Sequence, residues 1–134
     1  MEPSDTPNPA TNGKRILCIE DEHFISELYT RALTKAGYAV DVELDGAEGL
    51  KKAQTDDYDI ILLDLMIPNL TGIEILRLLR GPAQTQNLKA KIIITTNLEQ
   101  RDDVRTDIEK QADGYIVKAE ITPRELVDVL AKLR

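Results

Sequence analysis

Apolar residues follow two rhythms along this chain. Short apolar runs at Lys14–Glu20 (KRILCIE), Tyr38–Leu44 (YAVDVEL), Asp59–Leu65 (DIILLDL), Lys91–Thr96 (KIIITT) and Gly114–Lys118 (GYIVK) have the length and make-up of strands. Longer stretches between them place apolar residues at helical spacing. Glu22–Ala36 carries Ile25, Leu28, Tyr29, Ala32, Leu33 and Ala36 on one face and stops at Gly37. A short helix is expected over Ala47–Ala53, and another over Gly72–Arg80 with Ile73, Ile75, Leu76 and Leu79 as its apolar positions. Arg101–Gln111 is a polar helix whose inner stripe is only Val104, Ile108 and Ala112, which predicts the loosest element. The last helix opens on Thr122-Pro123-Arg124-Glu125, a capping box with proline in the first turn, and turns Leu126, Val127, Leu130 and Leu133 inward. Met1–Gly13 has three prolines and no periodicity, so a mobile tail is expected there and a single domain over residues 14–134.

Strands that are apolar on both faces, in strict alternation with helices, mean a parallel sheet covered on both sides. With right-handed crossovers, five such units make a doubly wound α/β fold: a flavodoxin-like (βα)5 three-layer sandwich. Ligands of such sheets bind beyond the carboxyl ends of the strands. That makes the strand-end residues the place to look for chemistry.

The first strand ends in Glu20-Asp21-Glu22, the third in Asp64, the fourth in Thr95-Thr96 and the fifth in Lys118. In a parallel sheet these ends share one edge. Carboxylates gathered there repel one another unless a cation neutralises them. An all-oxygen set selects a hard ion, and Mg2+ is the usual choice for phosphoryl chemistry. An aspartate can attack phosphorus and form an acyl phosphate, with a lysine and a hydroxyl or backbone N–H holding the other phosphoryl oxygens. Asp64, at the end of the central strand, is the best-placed nucleophile. Taken singly, each residue has a plainer reading: acidic residues after strands are mostly caps, and a strand-end lysine is mostly solvated. It is their convergence from different strands that argues for a site.

Composition narrows the function further. The net charge of −7 argues against direct nucleic-acid contact, and no apolar run is long enough to span a membrane. Met1–Gly13 lacks the basic and apolar regions of a signal peptide, so a cytoplasmic location is expected. Cys18 excludes an internal disulfide and reads as a buried inert thiol, and His23, the single histidine, as a solvated or capping residue.

The motifs ILCIEDE, DIILLDLMIPNLTGIEILRLLR, IIITTN and ADGYIVK, from about Lys14 to Arg134, resemble those of bacterial two-component response-regulator receivers, such as the chemotaxis response regulator. The second is the most specific: an aspartate, three residues, a proline, then a glycine opening a helix. The resemblance implies that Asp64 accepts phosphate from a histidine kinase or phosphotransfer protein. It implies that Glu20 and Asp21 bind Mg2+ together with Asp64 and the Met66 backbone carbonyl, and that Lys118 binds the phosphoryl group. Thr96 would be the switch hydroxyl and Tyr115 the aromatic switch residue. Such a protein is not an enzyme beyond catalysing its own phosphorylation and dephosphorylation. If the chain is complete, its signal leaves through a surface of the fourth helix, fifth strand and fifth helix, toward a downstream partner or a second copy.

The chain departs from this pattern in four places. Ala119 follows Lys118 where receivers usually have a cis proline. A cis bond to alanine costs about 3 kcal/mol, so a trans or strained bond is expected. Gln111 stands where glycine is frequent, at a cost of about 1 kcal/mol if the backbone there needs positive φ. Met66 and Leu98 stand two residues after the acceptor and the switch threonine. Neither can orient a water, which predicts slow loss of phosphate. Among other readings, a haloacid-dehalogenase-type phosphatase would want an acidic residue at position 66, and a mononucleotide-binding protein would not put carboxylates after the first strand. The remaining alternative is a receiver-like interaction module with weak or no phosphorylation.

Overall fold

A computed structural model describes residues 13–81, 87–97 and 100–133. The sheet contains β1 (Arg15–Ile19), β2 (Ala39–Glu43), β3 (Ile60–Asp64), β4 (Lys91–Thr96) and β5 (Gly114–Val117). The helices are α1 (His23–Lys35), α2 (Gly46–Ala53), α3 (Gly72–Arg80), α4 (Asp102–Gln111) and α5 (Pro123–Ala131). All pairings are parallel and the order is β2-β1-β3-β4-β5, so the doubly wound five-stranded sheet expected from the alternation is what forms. The turn of the winding falls between β1, which Glu20 follows, and β3, which ends in Asp64.

Two apolar clusters explain why both faces of the strands are hydrophobic. Leu17, Ile19, Ile61, Leu63, Ile92 and Ile94 point to the side covered by α2, α3 and α4, where Ile75, Leu76 and Ile108 meet them. Ile16, Cys18, Ile60, Leu62 and Ile93 point to the other side and pack against Tyr29, Leu33, Leu126 and Leu130 of α1 and α5. Every residue of β3 is buried, as the central strand requires. The Cys18 thiol lies inside the second cluster, where burial pushes its pKa up to about 12, in keeping with an inert role.

Helix starts follow local chemistry. Thr122 and Glu125 form the reciprocal capping box expected at α5, while Asp45 and Thr71 accept hydrogen bonds from Glu48 N–H and Glu74 N–H at the starts of α2 and α3. α4 has Ile108 alone as a buried residue, and Val104 and Ala112 pack at the margin of the core. That is the sparse stripe read from the sequence. Gln111 ends this helix in helical geometry; among the described residues the non-glycine positions with positive φ are Asp56 and Asn69, so no left-handed strain falls on it.

Several limits moved by one to three residues. Lys118, expected to end the fifth strand, instead opens a short 3-10 turn, Lys118–Glu120. α5 ends at Ala131 rather than at the chain end. The expected tail lies outside the described residues except for Gly13, and so does Leu98.

Candidate functional site

Four of the strand-end residues singled out in the sequence meet at one point. Glu20 follows β1, Asp64 ends β3, Lys118 follows β5, and Asp21 lies at the start of the β1–α1 loop. Glu20, Asp21 and Asp64 each offer a carboxylate oxygen, and these oxygens lie within 4.8 Å of one another. Glu20, Asp64 and Lys118 are buried, whereas Asp21 is exposed at the mouth.

The Lys118 ammonium donates to Glu20 Oε1 at 2.6 Å and to Asp64 Oδ2 at 3.0 Å, and it lies 3.7 Å from Glu22 Oε1. No cis peptide bond occurs among the described residues, so this reach is achieved with Lys118 and Ala119 joined in trans. The turn that follows β5 carries the lysine into the site without the usual proline.

Burial is the main cause that lifts the Glu20 carboxyl to about 7. The hydrogen bond from Lys118 pulls the other way, and the neighbouring Asp64 adds to the rise. Burial alone would push the Lys118 ammonium down, but its hydrogen bonds to Glu20 and Asp64 outweigh that and its pKa is raised. Carboxylates thus outnumber the lysine, and the raised pKa of Glu20 reflects that crowding. A hard divalent cation would relieve the same repulsion. An oxygen-only donor set with one exposed member fits Mg2+ in both charge and access.

Asp64 is held by backbone as well as by charge. Asp64 Oδ1 accepts from Met66 N–H at 3.1 Å, while the Met66 side chain is 70% exposed. Gly72, the first residue of α3, passes so close to β3 that an added Cβ would stand 2.2 Å from the Asp64 carbonyl oxygen. Gly46 approaches Leu70 as closely, and its N–H donates to the Pro68 carbonyl at 3.1 Å. The loop after Asp64 is therefore pinned by two helix starts, and Asn69, at φ 71°, hydrogen-bonds Asp45 from within it.

Thr96 and Tyr115 lie on the neighbouring strands. Thr96 is 1% exposed at the end of β4 and accepts from the Gln100 side-chain amide at 3.3 Å. The Tyr115 ring packs against the α3–α4 side of the core, its hydroxyl accepts from Gln100 N–H at 3.1 Å, and Arg105 lies 4.5 Å over the ring. His23 is exposed at the start of α1 and its side chain takes no part in the carboxylate cluster.

Three residues of this region escaped sequence reasoning. Glu22 was seen only as part of the acidic run, yet it links to Asn97 Nδ2 at 3.0 Å across the mouth of the site. Asn97 directly follows Thr96, a position that could have prompted the question. Gln100 carries no periodic or motif signal at all.

Residues 16–131 match the family model described as the response regulator receiver domain. The chain is 40% identical over 120 residues to the response regulator ArlR of Staphylococcus saprophyticus, covering 90% of this chain and 50% of that protein. The ArlR protein of Staphylococcus aureus is 38% identical over the same length. The chain thus spans about half the length of the curated relatives it matches. Among solved structures, the chemotaxis protein CheY4 of Vibrio cholerae superposes with a TM-score of 0.75 at 27% identity, covering 91% of this chain and 99% of that one. The Francisella response regulator 1452 receiver domain superposes with a TM-score of 0.76 at 28% identity, covering 90% and 98%.

Proposed function

The chain belongs to the response regulator receiver family, and on that premise we propose that Asp64 accepts a phosphoryl group from a histidine kinase or phosphotransfer protein, with Mg2+ required. The observation that carries this reading is the Lys118 ammonium, buried and 3.0 Å from Asp64, beside an oxygen set made of Glu20, Asp21 and Asp64. In the transfer, an Asp64 carboxylate oxygen attacks phosphorus, the P–N bond to the donor imidazole breaks, and that imidazole leaves with the bonding pair and takes up a proton. Lys118 then turns part of its hydrogen bonding to a phosphoryl oxygen, and the Thr96 hydroxyl donates to another. Glu20, Asp21, Asp64 and the Met66 carbonyl would hold Mg2+, which supplies positive charge for the anionic donor. Pinning of the Asp64 backbone by Gly72 keeps the nucleophile aligned.

The switched surface is that of α4, β5 and α5, turned toward a downstream protein or a second copy of the chain. The protein catalyses no reaction beyond its own phosphorylation and dephosphorylation, and it works in the cytoplasm with its phosphodonor. Lys118 reaching Asp64 through a trans bond weighs against a module that does not accept phosphate.

The direct test is incubation with Mg2+ and acetyl phosphate or beryllofluoride. Wild type should gain acid-stable, base-labile phosphate and respond structurally to beryllofluoride, and Asp64→Asn should do neither. Phosphate uptake by Asp64→Asn equal to wild type would refute the assignment.

A further inference from the structure

The edge of the sheet opposite Asp64 gathers cations of its own. A hollow of about 150 Å3 opens there, lined by Lys14, Asp59, Ile60, Lys89, Lys91 and Leu133. Strand register explains why lysines converge on it. Ile60 of β3 lies opposite Lys91 of β4, so both side chains leave the sheet on the same face. Ile60 also pairs with Ile16 of β1, and Lys14, two residues before Ile16, shares that face. Lys14 and Lys91 therefore flank Ile60 at two strand spacings, roughly 10 Å. Lys89 stands one repeat before Lys91.

These cations are left without counter-charge. Among the described residues, no hydrogen bond or ion pair reaches the ammonium group of Lys14, Lys89 or Lys91, whereas Arg15, Lys52, Arg77 and Arg80 each face a carboxylate. The acids nearest in the chain are turned to backbone instead. Asp59 Oδ2 accepts from Arg15 N–H at 2.8 Å, and Asp56 Oδ1 accepts from Lys89 N–H at 3.0 Å. Lys91 N–H donates to the Asp59 carbonyl at 2.9 Å, and the Lys14 carbonyl accepts from Ala39 N–H at 3.0 Å. The main chain beneath the lysines is thus fixed by bonds that leave their heads open. The hollow sets three positive charges against the one carboxylate of Asp59, in a chain whose net charge is −7. The Asp64 cluster lies a strand length away, about 17 Å, beyond the Debye length of about 10 Å at 0.1 M salt. Solvent ions therefore screen it from an anion that approaches this edge.

We propose that this hollow binds a diphosphate group, either as the free inorganic anion or as the end of a nucleotide. At about 30 Å3 for each water, its volume equals roughly five waters. That admits a diphosphate but not a base and sugar, which would have to stay outside. Lysine ammonium groups are point charges on flexible stems, so three of them can follow phosphate oxygens from different sides. Ile60 and Leu133 form an apolar floor that keeps the anion at the level of the lysine heads.

The test titrates the full chain with sodium diphosphate in EDTA, where no Mg2+ can hold the anion at Asp64. Calorimetry measures affinity, and amide resonances locate the site. The expected result is saturable binding that displaces the resonances of Lys14, Ile60 and Lys91 and leaves those of Asp21 and Met66 in place. Lys14→Gln with Lys91→Gln should weaken binding by about tenfold or more, since each lysine gives a charge-assisted hydrogen bond. Lys14→Arg with Lys91→Arg should retain most of the affinity. Lys110→Gln makes the same kind of charge change on exposed α4 and should have no effect. ADP binding as tightly as diphosphate supports a nucleotide end as the group read; binding of diphosphate alone supports the free anion. No binding by wild type, or unchanged affinity in the double Gln variant, overturns the proposal. A loss from Lys110→Gln equal to that from the double variant overturns it as well, because the attraction is then general.

Discussion

Removing the lysine at the centre of the carboxylate cluster should cost the fold an amount that depends on pH and magnesium. In Lys118→Met the aliphatic stem is retained and the charge is lost. Lys118 and Glu20 are 2.6 Å apart, and their side chains are 4% and 2% exposed, so solvent screens little of the pair. Removing one partner of such a pair typically costs about 3–5 kcal/mol, because the other charge is left buried without compensation. The loss should be seen in full at about pH 8, in magnesium-free buffer. The sign with pH follows from Glu20, whose carboxyl is raised from 4.5 to about 7 in the folded protein. A carboxyl raised on folding binds more protons in the folded state, so its contribution to stability is complete below pH 4.5 and is lost as pH rises through 7. At about 1.4 kcal/mol for each unit of pKa, that contribution is on the order of 3 kcal/mol. In the variant Glu20 holds its proton more firmly still. By about pH 5.5 the cluster is then partly neutralised, and the cost of the substitution should shrink to roughly 1 kcal/mol. Urea unfolding of wild type and variant, at both pH values and with or without MgCl2, measures this directly. MgCl2 at about pH 8 should recover part of the loss. A penalty that is the same at both pH values and indifferent to magnesium would refute the reasoning.

Two other substitutions probe the surroundings of Asp64. Gly72→Ala places a methyl group 2.2 Å from the Asp64 carbonyl oxygen, so α3 must move or β3 bend; a loss of about 1–3 kcal/mol in urea unfolding is expected, with slower phosphate uptake, and an unchanged midpoint would show that the contact relaxes freely. Met66→Asn combined with Leu98→Glu supplies polar groups two residues beyond Asp64 and Thr96, the proposed acceptor and switch residue. Phosphate loss followed by 31P NMR should then quicken by roughly tenfold or more, and equal rates would show that these positions do not govern hydrolysis.

Much of this could be read from the sequence because the signals were redundant. β3 is apolar on both faces and ends on an aspartate, so one segment specified both its central place and the chemistry at its end. Glu20, Asp21, Asp64 and Lys118 were legible for a topological reason: a parallel sheet brings every strand end to one edge, whatever the sequence separation. What escaped depends on side-chain direction. Lys118 was expected to end a strand; it opens a turn instead, and its ammonium bonds Glu20 and Asp64 from there. Glu22 meets Asn97 across 75 positions, and Gln100 reaches both Thr96 and Tyr115. No periodicity encodes contacts between loop residues, and helix limits shift by a residue because the end turns depend on caps and tertiary packing.

The glycines that crowd the loop after Asp64 also give the site a mechanical bias. On the α2–α3 side, Gly46 and Gly72 bring backbone against backbone, and α3 sets four buried residues into the sheet. On the α4 side a single isoleucine does so. A strain introduced at Asp64 therefore meets a stiff wall in one direction and a compliant one in the other. The protein resembles a lever clamped at one end: under the proposed function, a phosphoryl group on Asp64 would push toward α4, and that direction would be set before any partner binds.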